Sequence, residues 1–379
     1  MAYATRPQIL DADSHLMELP GWLDQYADRD IRDRIRPLYL GGAGALAEDA
    51  VARAAARHAD PSAGAGLEAS LLTSKGWHGL GAFDPTERSH ALDLLGFDAQ
   101  LVFSTFAATQ FTGDDLELLY GGARAHNRAM ADFCASDPRL LAVGFAPWND
   151  AGMTQQVVEE AIDLGCAAIL FPSRPPRHAK SITHPDFDPM WRMLEERGVP
   201  FVLHVGGAGR LAPREFHDNG RPVTDFLGGG ENLRAKDYMG IAHMTELFLA
   251  SLIFDGILER FPTLRGGSIE QGAMWVVPWL RRLDLAQQSF GRNEPTLRDL
   301  PARPSDYVRD RLFFTPFPGE PVGWMIEQCG EELFCFSSDY PHPEGTKDPI
   351  GRFEATLVDT REDAKERFYS RNLATMLGR

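Results

Sequence analysis

The chain has 379 residues, 44% hydrophobic and 24% charged, enough to bury the core of one large α/β domain or two ordinary ones. Its formal charge of −16 repels phosphate backbones and anionic lipid, which argues against binding to nucleic acid or a membrane surface. No apolar run approaches a membrane span, no signal-peptide pattern is present, and Cys134, Cys166, Cys329 and Cys335 form no CxxC pair, so reduced thiols in a cytoplasmic protein are expected.

In chain order, QILDAD (8–13) reads as the first strand, and its end is unusually rich in acids and imidazole. Asp11, Asp13 and His15 arrive at every second position, and Glu18 comes one helical turn later. The stretch from about 31 to 84 fits no strand–helix alternation. It contains the Ala-rich LAEDAVARAAARHAD and the Gly/Ser/Ala-rich PSAGAG, and reads as an insertion, partly helical and partly mobile, covering the mouth of the fold. AQLVFST, LLAVGFAP, AAILFPS, PFVLHVG, LRGGSIEQ, LFFTPF and LFCFSSD come next as mostly continuous apolar runs, the pattern of parallel strands buried on both faces. Helical stretches lie between several of them. DAGMTQQVVEEAIDLG starts on Asp150 as N-cap and ends at Gly165, while DPMWRMLEERG stops at Gly198 ahead of Pro200. TELFLASLIFDGILERFP is apolar around much of its surface and is expected to pack against the sheet; PVGWMIEQCGEE precedes the last strand; REDAKERFYSRNLATML is a closing helix. Eight strands in βα alternation predict one domain over 1–379, an α/β (βα)8 TIM barrel distorted by the insertion after its first strand. A doubly wound open sheet is the alternative, disfavoured by the strand count and the lack of a Gly-rich nucleotide loop.

In a barrel the C-terminal ends of the strands carry the chemistry. Those ends hold Asp13 and His15, then His204, then Glu270, then Asp339 followed by His342. Residues two apart on a strand point the same way, so Asp11, Asp13 and His15 are expected on one inward face with Asp11 deepest. Crowded carboxylates repel unless protons or a cation neutralise them, and a divalent ion is the simplest cation. Asp13, His15, His204 and Asp339 are therefore the expected ligands of Zn, with Mn or Fe as alternatives. Taken singly, each has a plainer use: a helix cap for Asp13, a core histidine for His204, an arginine partner for Glu270 or Asp339. Their coincidence at four strand ends favours the metal.

These residues also carry a likeness. DADSHLMELP, HPDFDPMWRMLEERGVPFVLHVGG, FLASLIFDGILERFPTLR, IEQGAMWVVPWLRRLD, FSSDYPHPEG and RNLATMLG resemble the amidohydrolase-related family that includes aminocarboxymuconate-semialdehyde decarboxylase, benzoate-type decarboxylases and ring-fission hydrolases. The resemblance implies a distorted barrel, usually oligomeric, with one divalent metal at its mouth. Relatives end the first strand in His-x-His, where this chain has Asp13; His15, His204 and Asp339 match the other ligand positions. The decarboxylase branch has a catalytic histidine after strand six, where this chain has Glu270.

Three reactions are open to such a site. A metal-dependent hydrolase would cleave a C–N or C–C bond of a small carboxylate-bearing substrate, with water activated by the metal, Glu270 or Asp339 as base and His342 as proton donor. A non-oxidative decarboxylase of an aromatic or unsaturated acid would need Glu270 or His342 to deliver a proton to carbon. Glu270, His342, Glu18 and His243 also offer a second metal site, as a dinuclear non-haem iron oxygenase or its metal-binding partner subunit would have. Arg174 and His178 are candidates for meeting an anionic substrate, against the plainer reading of surface charge. A homo-oligomer is expected, or assembly with a homologous chain through the apolar helix and Trp275 and Trp279. The loops GGAGRLAPREFHDNG and DFLGGGENLRAKDYMG, with the insertion, are the expected specificity elements.

Overall fold

The computed structural model describes residues 2–64, 66–206, 211–222 and 234–379. Residues 207–210 and 223–233, which include parts of the two expected specificity loops, lie outside the described residues. Seven strands, Leu10–Leu16 (β1), Ala99–Ser104 (β2), Leu140–Phe145 (β3), Ala168–Leu170 (β4), Phe201–His204 (β5), Gly266–Ile269 (β6) and Leu312–Phe314 (β7), form one parallel sheet in sequential order. That order excludes the doubly wound alternative, whose strand order reverses beside the first strand. The eighth expected strand, LFCFSSD, is not a ladder strand. Its backbone instead makes single bridges to both sheet edges. Phe314 N–H donates to Leu333 O and Cys335 N–H to Phe314 O on one side; Ala12 N–H donates to Phe336 O and His15 N–H to Tyr340 O on the other.

Period-two alternation sorts the strand side chains into two cores. Ile9, Val102, Ala142, Ile169, Leu203 and Phe314 pack outward against the helices. Ala12, Leu101, Val143, Val202, Ile269 and Phe313 pack inward, where Leu373 and Met376 of the C-terminal helix Asn372–Met376 join them. With both faces covered, the strands have no polar side to show, which is why their sequences run apolar without alternation.

A helix follows each strand, and several start on caps that the sequence announces. Asp84, Asp115 and Asp150 accept from the backbone N–H of Glu87, Leu118 and Met153 at the heads of Pro85–Leu95, Leu116–Cys134 and Ala151–Asp163. The long apolar helix is broken: His243–Phe254 ends at Asp255, and Ile257–Arg260 resumes after Gly256, whose φ of 72° no helix continues through. In the insertion, Gly44–Ala59 is helical, and Ala43, Ala47 and Ala50 pack with Leu38, Leu40, Trp77 and Met17 as a small separate core.

Candidate metal centre and the cleft above it

Between Asp11 and Ser14, β1 advances three residues while β2 advances two, from Gln100 to Val102. This bulge breaks the expected alternation, so Asp11 and Asp13 face different surroundings. Asp11 is tied to structure rather than to a shared inward cluster. Its Oδ1 accepts from the Ser338 N–H at 2.8 Å, and its Oδ2 from Gln100 Nε2 at 2.8 Å and Ser338 Oγ at 2.5 Å. Burial pushes its carboxyl up to about 7 against those hydrogen bonds.

Six other side chains converge from the ends of β1, β5 and β6 and from the segment after Phe336. His15 Nε2 lies 3.2 Å from Asp13 Oδ1 and 3.5 Å from Asp339 Oδ1. His204 Nε2 lies 3.4 Å from Asp13 Oδ1 and 3.4 Å from Glu270 Oε2. His342 Nδ1 is 3.0 Å from Asp339 Oδ1, and its ring stacks on His15 at 3.6 Å between centroids. Glu270 and Asp339 hold their positions at φ 52° and 55°, in the left-handed region that side chains other than glycine seldom occupy. Such strain costs roughly 1–3 kcal/mol per residue and persists where the surrounding structure fixes the geometry.

The hydrogen-bond pattern asks for a positive charge. His204 Nδ1 faces the Val205 carbonyl at 2.8 Å, an oxygen that only accepts, so Nδ1 carries the hydrogen. A neutral ring then points the bare Nε2 lone pair at two carboxylates. Either a proton or a cation must sit there. Both nitrogens of His15, Asp13 Oδ2 and Asp339 Oδ1 are buried with no hydrogen-bond partner among the described residues. The ligand atoms of Asp13, His15, His204 and Glu270 lie within 4.8 Å of one another, as do those of His15, Glu270, Asp339 and His342. Metal–ligand bonds of about 2.1 Å set donor atoms roughly 3 to 4.2 Å apart, so the first group fits a divalent ion after small adjustments. Asp339, expected with Asp13 and His204, falls instead in the second group, beside His342.

Charge states agree with that arrangement. Burial and the nearby His342 push His15 down to about 3, the neutral form that binds metals. Burial works against ionised Asp13, but the adjacent imidazoles of His15 and His204 hold its carboxyl well below the usual range. Burial raises Asp339, with His342 opposing.

Glu18 and His243 do not join the cluster. Glu18 is buried, and its carboxylate accepts from the backbone N–H groups of Thr105, Phe106 and Ala107 at 2.9–3.1 Å, which ties down the loop after β2. His243 is exposed at the head of His243–Phe254 and lines a surface groove with Trp279. The set of Glu270, His342, Glu18 and His243 therefore does not assemble. Arg174 is exposed and lines a small chamber bordering His204 and Gln271; His178 is exposed and lines neither that chamber nor the cleft.

Three residues matter that the sequence left unmarked. Thr105 donates its hydroxyl to Leu16 O at 2.8 Å and so accepts from His342 Nε2 at 2.9 Å. Its place directly after β2 was the available signal. Arg88, fully buried behind β1, donates to the carbonyls of His15 and Tyr340 and to Gln100 Oε1. Nothing in its local sequence sets it apart. Arg88→Met leaves three buried acceptors short of a donor, and we expect a loss of about 3 kcal/mol or more in chemical denaturation; a wild-type midpoint would show that water replaces the guanidinium.

His126 is the third, buried under the cleft. Its Nδ1 donates to Asn127 Oδ1 and its Nε2 accepts from Ser104 Oγ, while burial pushes it down to about 4. An unfolded histidine titrates near 6.5, so between about 6.5 and 4 the unfolded chain binds the proton more readily. Stability from this residue is whole above about 6.5 and falls as the pH drops toward 4, by up to about 3 kcal/mol. Thermal melts at pH 8 and pH 5 should show a larger drop for wild type than for His126→Gln; equal drops would rule this out.

Above the cluster a narrow cleft opens between Phe103, Phe145, Leu170, Phe171 and Val205, with His15, His204, Glu270 and His342 on its floor. Among the described residues, no helix is long and apolar enough to cross a membrane.

The chain matches the family described as amidohydrolase over residues 11–379. No curated protein sequence matches. Among solved structures, an amidohydrolase from Mycobacterium avium subsp. paratuberculosis K-10 is similar with a TM-score of 0.75 at 19% identity, over 99% of this chain and 100% of that one. The 5-carboxyvanillate decarboxylase LigW from Sphingomonas paucimobilis aligns at 0.64 and 19%, over 98% and 99%. A dihydroxybenzoic acid decarboxylase from Polaromonas sp. JS666, with bound manganese and the inhibitor 2-nitroresorcinol, aligns at 0.61 and 15%, over 98% and 97%. At these identities the likeness concerns the fold, whereas the family match spans nearly the whole sequence. The chain belongs to the amidohydrolase family of enzymes.

Proposed function

We propose that this protein is a metal-dependent carboxy-lyase of an aromatic or unsaturated acid, with Asp13, His15, His204 and Glu270 holding the ion and Asp339 and His342 moving the proton. The observation that carries this reading is the lining of the cleft. Phe103, Phe145 and Phe171 make an apolar slot suited to a flat ring whose carboxylate points at the cluster. A divalent ion bound there would neutralise the carboxylate and fix its orientation. Asp339 gives its proton to the ring carbon that bears the carboxylate. The bond from that carbon to CO2 then breaks, its electron pair returns to the ring, and CO2 leaves. His342, 3.0 Å from Asp339 and fixed by Thr105, then takes up a proton from water at Nδ1 and passes it to Asp339. The phenylalanine walls favour departure, because they solvate an anionic carboxylate poorly and neutral CO2 well.

The decarboxylases of like fold support this choice over the hydrolase first expected from the sequence. Manganese moves ahead of zinc in this reading, since a site with carboxylates equal to or outnumbering imidazoles suits the harder ion. Hydrolysis of a C–N or C–C bond is the second reading, favoured by Glu270, a carboxylate on the floor of the cleft able to act as base toward water. The dinuclear iron alternative loses two of its supposed ligands, Glu18 and His243.

The same reading takes the fold as a distorted (βα)8 barrel closed by 333–340, with the whole chain one domain and the insertion walling its mouth. Self-association is included, supported by the open groove of Leu247, Ala250 and Phe254, as is a cytoplasmic setting, supported by four unpaired cysteines. Manganese-loaded protein incubated with hydroxybenzoic acids should release CO2. Silence across that panel, with amide or enol cleavage that takes oxygen from labelled water, would assign the enzyme to hydrolysis.

A further inference from the structure

We propose that a second chamber beside the cleft receives an apolar substituent of the substrate, so that the preferred acids carry an aryl or alkyl group beyond the reacting ring. This rests on the carboxylate-binding reading and adds the substrate class. The chamber is walled by Met17, Ala43, Leu46, Trp77, Phe106 and Pro343, and it shares Thr105 and His342 with the cleft. The shared residues place its contents next to the proton-moving pair rather than at a remote surface.

Its walls are fixed in advance. Trp77 donates its indole N–H to Glu18 O at 3.0 Å and stacks on Phe106 at 5.6 Å with the rings 12° apart. The Glu18 carboxylate in turn holds the backbone of Thr105, Phe106 and Ala107. A buried acid is thus spent on rigidity in the loop that separates the two spaces, which lowers the ordering cost of a bound group. The insertion supplies the other side. Ala47, Ala50 and Ala54 bury one face of Gly44–Ala59, while Leu46 stays 52% exposed at the chamber. Leu46 thus presents an apolar side chain to the space opposite Trp77 and Phe106. Lys75 lines the same space but donates to the Thr346 carbonyl at 3.1 Å and is faced by Asp339 and Glu344, so the chamber offers an anionic tail little.

Calorimetric titration of manganese-loaded protein with benzoate, 4-butylbenzoate and biphenyl-4-carboxylate tests this. The two larger acids should bind at least tenfold more tightly than benzoate and compete with it. Ala43→Phe, which fills the chamber, and Leu46→Asp, at an exposed position where folding is undisturbed, should each bring that ratio to within threefold of one. A wild-type ratio near one, a ratio unchanged in both variants, or larger acids that bind without competing would each overturn the inference while benzoate binding left the carboxylate reading standing. If none of the three acids bound, both would fall.

Discussion

His204→Ala protein should come off the column with less than a tenth of the wild-type divalent ion, and its turnover should fall with its metal content. The ring of His204 meets the Val205 carbonyl with one nitrogen and two carboxylates with the other, so alanine removes the ligand nitrogen that stands between Asp13 and Glu270. Lost partners one shell further out cost metal sites about 10- to 100-fold in affinity, and a direct ligand should cost more. Elemental analysis of the purified variant, with circular dichroism as a folding check, gives the answer. Full occupancy would remove His204 from the ligand set.

Asp339→Asn should behave in the opposite way, keeping the ion and losing at least 10³-fold in turnover. Asp13, His15, His204 and Glu270 still enclose the first site when Asp339 is replaced, so metal content should stay near wild type. An amide cannot give up a proton to carbon, and general-acid groups contribute about 10²–10⁴ in rate. The pairing with His342 through Nδ1 would also be lost, so His342→Gln should show a smaller fall with the same retained metal. Loss of metal in Asp339→Asn would return Asp339 to the ligand role that its position in the sequence suggested.

The strand ends were legible because burial on both faces leaves a strand only its last residues for polar chemistry. Asp13, His15, His204, Glu270 and Asp339 stood at such ends, and the fold gathers them. Other features depended on events that leave no local mark. A single extra residue in β1 separates the surroundings of Asp11 and Asp13, although their spacing in sequence is that of a regular strand. Glu18 has the chemistry of a ligand, yet three backbone amides from β2's loop reach it first, and amides are invisible in a sequence. His243 was counted as one more imidazole than a single metal needs; it stands exposed at the head of its helix. The apolar run TELFLASLIFDGILERFP was read as one helix, and the break at Gly256 was missed although a glycine inside such a run often marks a stop. The line of contact from Arg88 to Gln100 to Asp11 to Ser338 joins four distant segments, and no pattern within any one of them announces it.

That same line dictates an order of events during synthesis. Asp11 and Ser338 are 327 positions apart, so β1 leaves the ribosome carrying Asp13 and His15 long before the residues that steady it exist. Closing so wide a loop gains its reward only at the last contact. The nascent chain therefore has no steadied pocket until the segment through Tyr340 has been made and has folded back on β1.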